Sequence, residues 1–465
     1  MKKISLKYIL QLASIAAVLP LSSIAQDQTS PDKEFYLRPS YWRPYDQRGI
    51  NVFETTKAPD SIPFEGPRVR FGAGFTQQFQ NLKHKNTALN NGGSTPATAG
   101  ANKLYPIAPG FMTAQANLNL DVQLADGIRL NVVTYLSSRH HNEAWVKGGY
   151  IQFDKLPFKG KFWNDLMELA TIKVGHMEVN YGDQHFRRSD AGHTLQNPFM
   201  EGYIADAFAT EIGGEVYLQK NGLFGMLGVT NGMIKGNVDS ATEGKVNGAV
   251  VDANTKRAPS IYLKGGIDKN IGDEIRIRLA GSFYHNSSNA GSGLTLYSGD
   301  RAGSNYQNVM ETWVAGGAAK ASTAMYSSGR FNPGFSKKID AIMLNGFLKV
   351  KGLELFGTYE TAKGRSKTES ASRKMNQLAG DVIYRFGKNE NLFIGGRYNT
   401  VTAELANITG DVKIDRIAGA AGWFLTRNVL LKAELVQQKY KDFPDTDFRN
   451  GGKFNGYVIE AVVGF

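Results

Sequence analysis

The sequence predicts an all-β chain closed into a transmembrane antiparallel β-barrel of about sixteen strands. Three observations predict it. Apolar and polar side chains alternate with a period of two in segment after segment, the connections sort by turns into short and long, and no uninterrupted apolar run after Leu21 could form a membrane helix. A chain that crosses lipid without helices must close its sheet, because hydrocarbon offers no partner to an open edge.

The N-terminus reads as an export leader over residues 1–25. Lys2, Lys3 and Lys7 precede an apolar stretch from Tyr8 to Leu21, and Ser23-Ile24-Ala25 offers the small residues of a cleavage site. That stretch is too short for a membrane anchor. No cysteine is present, which excludes a lipid-modified N-terminus and a disulfide framework. Residues 26–67 carry Pro31, Pro39, Pro44, Pro59, Pro63 and Pro67, so long regular structure is not expected. Tyr36, Tyr41, Trp42 and Tyr45 give this extension something to dock, and two readings stay open: a disordered periplasmic leader, or a segment packed in the lumen.

The barrel is expected over 68–465, with strands near 68–80, 111–124, 128–138, 143–155, 170–180, 207–219, 222–231, 257–268, 274–286, 339–350, 352–362, 376–387, 391–402, 410–425, 428–439 and 454–465. The clearest places Ala116, Leu118, Leu120, Val122 and Leu124 on one face, and Gln115, Asn117, Asn119, Asp121 and Gln123 on the other. Asp126-Gly127 turns the chain into the next strand. Register is unclear in the fourth, fifth and fourteenth strands, where Gly pairs or Asp415-Arg416 suggest bulges. In the last strand Tyr457, Ile459, Ala461, Val463 and Phe465 share the lipid face opposite Glu460. That ending resembles the C-terminal signature of outer-membrane barrels, and implies recognition by a barrel assembly machinery.

With both ends of the barrel on the periplasmic side, every second connection should be short. Those connections are short save 156–169, where Phe162 to Met167 could form a helical turn. The others, 81–110, 181–206, 232–256 and 287–338 among them, are long and rich in Gly, Ser, Asn and Ala. The last could hide a hairpin and raise the count to eighteen. Outward Phe283, Tyr359, Tyr398 and Tyr457 mark one rim, and Tyr384, Phe386, Trp423 and Phe465 the other.

Composition supports the barrel. A mature chain of about 440 residues would suggest two or three soluble domains, yet no linker divides it. A mean hydropathy of −0.32 suits a wall in which only alternate residues meet lipid. Net charge is +12; export argues against nucleic acid and favours anionic solutes or lipopolysaccharide as partners, beside the outer-membrane lipid itself. No cofactor is implied. His140-His141 with Glu143 is a weak metal candidate, since adjacent residues of an extended chain point opposite ways. No nucleophile motif accompanies any histidine, so no enzyme is expected.

A sixteen-strand wall leaves a hole too wide for side chains to fill. The third outer connection, Tyr181 to Asp206, is the candidate to narrow it, with Phe186, Phe199, Met200 and Tyr203 too apolar for a solvated loop. Folded inwards it would present His185, Arg187, Arg188, Asp190 and Glu201 at a constriction. The alternative is a solvated outer loop or a subunit contact. Alternation turns Arg129, Lys147, Lys173, Arg276, Arg278, Arg385, Arg397 and Lys432 inwards, together with Asp121, Glu211, Glu215, Glu354, Glu360, Asp381, Glu434 and Glu460. Cross-lumen ion pairs are the plain reading of most of them.

Ile172-Lys173-Val174-Gly175-His176-Met177-Glu178-Val179-Asn180-Tyr181-Gly182 resembles the strand leading into the constriction loop of the phosphate-selective porin O and P family. Glu211-Ile212-Gly213-Gly214-Glu215-Val216 and Gly228-Val229-Thr230-Asn231-Gly232 resemble what that family places after the loop. The resemblance covers about 170–232 and implies a sixteen-stranded, trimeric outer-membrane porin of a Gram-negative bacterium, narrowed by its third loop. The family lines its pore with a ladder of basic residues; the eight bases and eight acids here fit a broad, weakly anion-preferring pore for small hydrophilic solutes instead. Two alternatives remain: a plugged transporter for hydrophobic compounds, and a barrel adhesin or structural protein that uses loop 287–338.

Overall fold

The computed structural model describes residues 43–55, 57, 63–95, 97–137, 143–233, 240, 242–289, 293–298, 302–313 and 328–465. The leader, the first part of the N-terminal extension, and His140 and His141 lie outside the described residues. Sixteen wall strands run in chain order: β1 Arg68–Lys85, β2 Gln115–Ala125, β3 Ile128–Leu136, β4 Trp145–Phe153, β5 Ala170–Glu178, β6 Thr210–Lys220, β7 Leu223–Thr230, β8 Ser260–Ile271, β9 Ile275–Asn286, β10 Lys338–Val350, β11 Leu353–Arg365, β12 Arg373–Phe386, β13 Leu392–Glu404, β14 Asp411–Thr426, β15 Val429–Lys441 and β16 Lys453–Gly464. Each pairs antiparallel with its chain neighbours.

The ring closes on β1, which pairs with β2 over Arg68–Thr76 and with β16 over Gly74–Lys85. Phe465 completes the seam: its N–H donates to Ala73 O (3.0 Å) and its carbonyl accepts from Ala73 N–H (2.8 Å). A two-residue strand, Gly110–Phe111, adds a short pairing to β1. Every predicted strand has its counterpart. Among the described residues of 287–337 no further strand forms, so the count is sixteen. The hairpin Gly244–Val246 and Ala249–Asp252 stands outside the wall, and the helical turn in the long inner connection is α1, Lys161–Met167.

The bulge expected in the fourth strand falls at Lys147, skipped between the pairs Thr134↔Val146 and Val133↔Gly148. The fourteenth strand is different. Asp415↔Lys439 and Arg416↔Gln438 pair regularly, and the irregularity sits at Leu425 beside the turn. Asp415 needs no bulge because it lies near the outer rim, where Lys441 Nζ reaches it at 2.7 Å while Arg416 points inwards.

Faces follow the alternation. Phe71 is 63 % exposed and Ile417 59 %, whereas Asp121, Glu354, Glu360 and Glu460 are fully buried. Tyr457, Ile459 and Phe465 face outwards with Leu118, Val174, Leu279, Leu344, Leu378, Val382 and Leu435. An unbroken apolar belt around a closed sheet matches hydrocarbon and not water. The inner face is less polar than the sequence suggests. Ile339, Met343, Ile383, Phe424, Leu430, Val458 and Val462 also point in, and they pack with Phe199, Met200, Ile204, Leu296 and Tyr306 into one core. Loop side chains, rather than water, meet much of the inner wall.

Candidate channel interior

The third outer connection enters this core with its backbone, and its peptide groups need partners there. The wall supplies them. Gly182 N–H donates to Ser282 Oγ (3.0 Å), Asp183 N–H to Asn345 Oδ1 (2.8 Å), and Gly192 N–H to Asn117 Oδ1 (2.7 Å). Met200 N–H donates to Glu434 (2.9 Å), Ile204 N–H to Asn399 (2.7 Å) and Ala205 N–H to Gln377 (3.0 Å). In return Lys432 Nζ donates to the carbonyls of Thr194 and Asn197 (both 2.9 Å), Arg397 to Glu201 O (2.9 Å) and Arg416 to Gly202 O (2.8 Å). The inward polar set of β9, β10 and β12 to β15 is thus spent largely on holding segment 182–205.

The eight predicted inward acids divide in two. Asp121, Glu354, Asp381 and Glu460 pair with Arg129 (3.5 Å), Arg385 (2.7 Å), Arg397 (2.7 Å) and Lys432 (2.7 Å). The other four accept from tyrosine hydroxyls: Glu211 from Tyr284 (2.6 Å), Glu215 from Tyr217 (2.5 Å) and Tyr262 (2.9 Å), Glu434 from Tyr306 (2.5 Å), and Glu360 from Tyr181 (3.2 Å) and Tyr297. A buried carboxyl held by hydroxyl donors needs no cation to satisfy its oxygens.

The five residues predicted at the constriction are not all together. Arg187 is buried between Phe347 and Phe356, bonded to Asn51 and 3.7 Å from Glu354, and burial lowers its pKa. Glu201 is sealed among Arg330, Ser304 Oγ (2.8 Å) and Asn305 N–H (2.6 Å). His185, Arg188 and Asp190 instead line one cavity of about 250 Å³ with the predicted Arg129, Lys147, Lys173 and Glu215. His185 bonds Glu178 (2.6 Å) and Asn180 (2.9 Å), Arg188 bonds Asp206 (2.5 Å), and Lys147 pairs with Asp190. Lys173 sits between the rings of Tyr150 (5.3 Å) and Tyr217 (4.7 Å), with no carboxylate in ion-pair reach among the described residues. Arg276 and Arg278 lie apart, on Asp268 (2.7 Å) and Asp183 (2.8 Å).

Three groups of the interior were missed in the sequence. Lys264 and Arg416 follow the alternation of β8 and β14 and were legible there. His193 and Asp183 lie in loop backbone with no periodicity to read. The third group is Arg43, Phe53 and Glu54, which line the cavity with Tyr45; of these four the sequence singles out only Tyr45, as an aromatic able to dock in the lumen. Among the described residues no cluster of three or more metal-ligating side chains occurs.

No family model matches the chain, and no curated protein matches it. Among solved structures it is similar to the anion-selective porin from Comamonas acidovorans (10 % identity over 86 % of this chain and 100 % of that one, TM-score 0.49). It is also similar to the outer membrane channel DcaP of Acinetobacter baumannii (10 %, 86 % and 98 %, TM-score 0.45) and to outer-membrane OmpT of Vibrio cholerae (11 %, 87 % and 99 %, TM-score 0.44). At such values the likeness carries no functional argument, and the reading of this chain rests on its own geometry.

Proposed function

We propose that this protein is an outer-membrane porin, passing small hydrophilic, weakly anion-preferring solutes through a lumen narrowed by segment 181–206. One observation carries the reading: a charged cavity inside a closed barrel whose outside is apolar. Arg43, Arg129, Lys147, Lys173 and Arg188 stand against Glu54, Glu178, Asp190 and Glu215 in its lining, five cations to four acids. That small excess supports a mild anion preference and speaks against a tight polyanion trap. A homotrimer is the assembly this reading adopts from the family resemblance.

The test is planar-bilayer recording of the purified, folded protein. Stepwise conductance is expected, with a reversal potential displaced towards the anion side across a salt gradient. A folded barrel that never conducts would refute the channel. One observation favours the plugged transporter: residues 43–55 lie against the inner wall. The charge of the cavity argues against a hydrophobic cargo.

A further inference from the structure

Residues 43–55 and Lys57 reach across the barrel from wall to wall. Tyr45 Oη donates to Asp121 of β2 (2.9 Å), and its ring covers Gly72 of β1. Gln47 N–H donates to Arg427 O in the β14–β15 turn (2.9 Å), and Gln47 Nε2 to Asn389 O in the β12–β13 turn (3.1 Å). Asn51 Nδ2 donates to Glu354 of β11 (2.7 Å), and its carbonyl accepts from Arg276 of β9 (2.9 Å). Lys57 Nζ donates to Asp154 O beyond β4 (3.0 Å). Arg427 and Asn389 lie in short inner turns and Asp154 opens the long inner connection, so the strap lies at the inner end of the lumen. It also meets the third outer connection: Arg43 donates to Phe186 O (2.9 Å), and Arg187 donates to Asn51 Oδ1.

Its anchor is Glu54. The carboxylate lies 2.9 Å from Lys264 Nζ of β8 and 2.6 Å from Arg278 of β9, and accepts from Asn180 Nδ2 (3.1 Å). Burial pushes this carboxyl up, but Lys264 and Arg278 outweigh it and hold it well below the usual range. The surrounding cations are Lys264, Arg276 and Arg278; the acids fixed in the barrel and its loop are Asp183 and Asp268. Three against two leaves one positive charge among these groups, and Glu54 lies against it. The wall is built with an oxyanion position, and the chain's own carboxylate occupies it.

We propose that residues 43–55, with Lys57, form a tethered internal strap that closes the channel. Glu54 is the intramolecular ligand of an oxyanion site made by Lys264 and Arg278, and the site passes to permeating carboxylates or phosphate when the strap leaves. This rests on the channel reading above. Because the chain has no cysteine, Gln47→Cys with Arg427→Cys gives a clean lock across a backbone hydrogen bond. The full-length mature protein carrying this pair is recorded in planar bilayers, oxidised and then reduced. The second variant is Glu54→Gln, which keeps the shape and removes the charge.

The locked form should conduct little and recover on reduction. Glu54→Gln should shift the closed–open equilibrium towards the open form by more than about a hundredfold, the size expected when a buried charge loses its partner. In that variant millimolar inorganic phosphate or acetate should reduce single-channel current more than in wild type, through competition at Lys264 and Arg278. Equal conductance locked and reduced, or a Glu54→Gln channel identical to wild type, would overturn the strap while leaving the channel standing. Silence of folded protein in every form would overturn both.

Discussion

Among the described wall cations that line the cavity, Lys173 has no carboxylate in ion-pair reach, and two tyrosine rings flank it. Its charge therefore acts on whatever enters the cavity. Lys173→Glu reverses the lining from five against four to four against five, and should move the reversal potential towards cation preference. An unchanged potential would place the conduction path elsewhere. His193 gives a second test. Asn119 Nδ2 donates to its Nε2 (2.7 Å), and the ring stacks on Tyr45 at 5.4 Å. Burial, then Lys147 and Arg43, push its pKa down to about 3. An unfolded histidine near 6.5 binds a proton that the folded one refuses, so this contribution is whole above pH 6.5 and falls as pH drops towards 3. Acidification from neutral to about pH 4 should lower the denaturant midpoint of wild type more than that of His193→Phe. Lys173 was legible in the sequence, because strand alternation fixes its side. His193 was not, because a loop sets no period.

At the scale of elements, the third outer connection and β1 meet at two glycines. A Cβ on Gly74 would stand 2.7 Å from Gly192 O, and one on Gly192 would strike the Gly74 carbonyl. The loop can lie this close only because both side chains are absent. Gly74→Val should push the loop off β1, raise single-channel conductance and leave the barrel folded, which electrophoretic mobility with and without heating checks. Conductance equal to wild type would separate the loop from the path. The sequence marked this segment by its aromatics, and Phe199, Met200 and Tyr203 are indeed buried. It could not say which polar side chains the loop would consume. Asn345, Gln377 and Asn399 look like water-facing residues in the alternation, yet each binds a loop peptide.

For the molecule as a whole, the two faces of one strand should respond oppositely to charge. Leu344 sits mid-way along β10 and is exposed, while its neighbour Asn345 is buried. Leu344→Arg places a cation in hydrocarbon and should cost about 2–4 kcal/mol, read as a shift in the denaturant midpoint of refolding into vesicles. A shift below about 1 kcal/mol would mean that this face does not meet the bilayer interior.

The sequence by itself determined the wall: a closed antiparallel barrel, the order of its strands, and which side chains meet lipid, with sixteen or eighteen strands left for the structure to decide. It could do so because a period of two and the solvent on each face are local properties, written into every segment separately. Only the tertiary structure decided what fills the wall. Glu54 finds Lys264 and Arg278 across more than two hundred residues, and Met200 finds Glu434 at similar remove. Such meetings depend on closure of the ring, which brings distant strands around one space and leaves no trace in the spacing of residues along the chain.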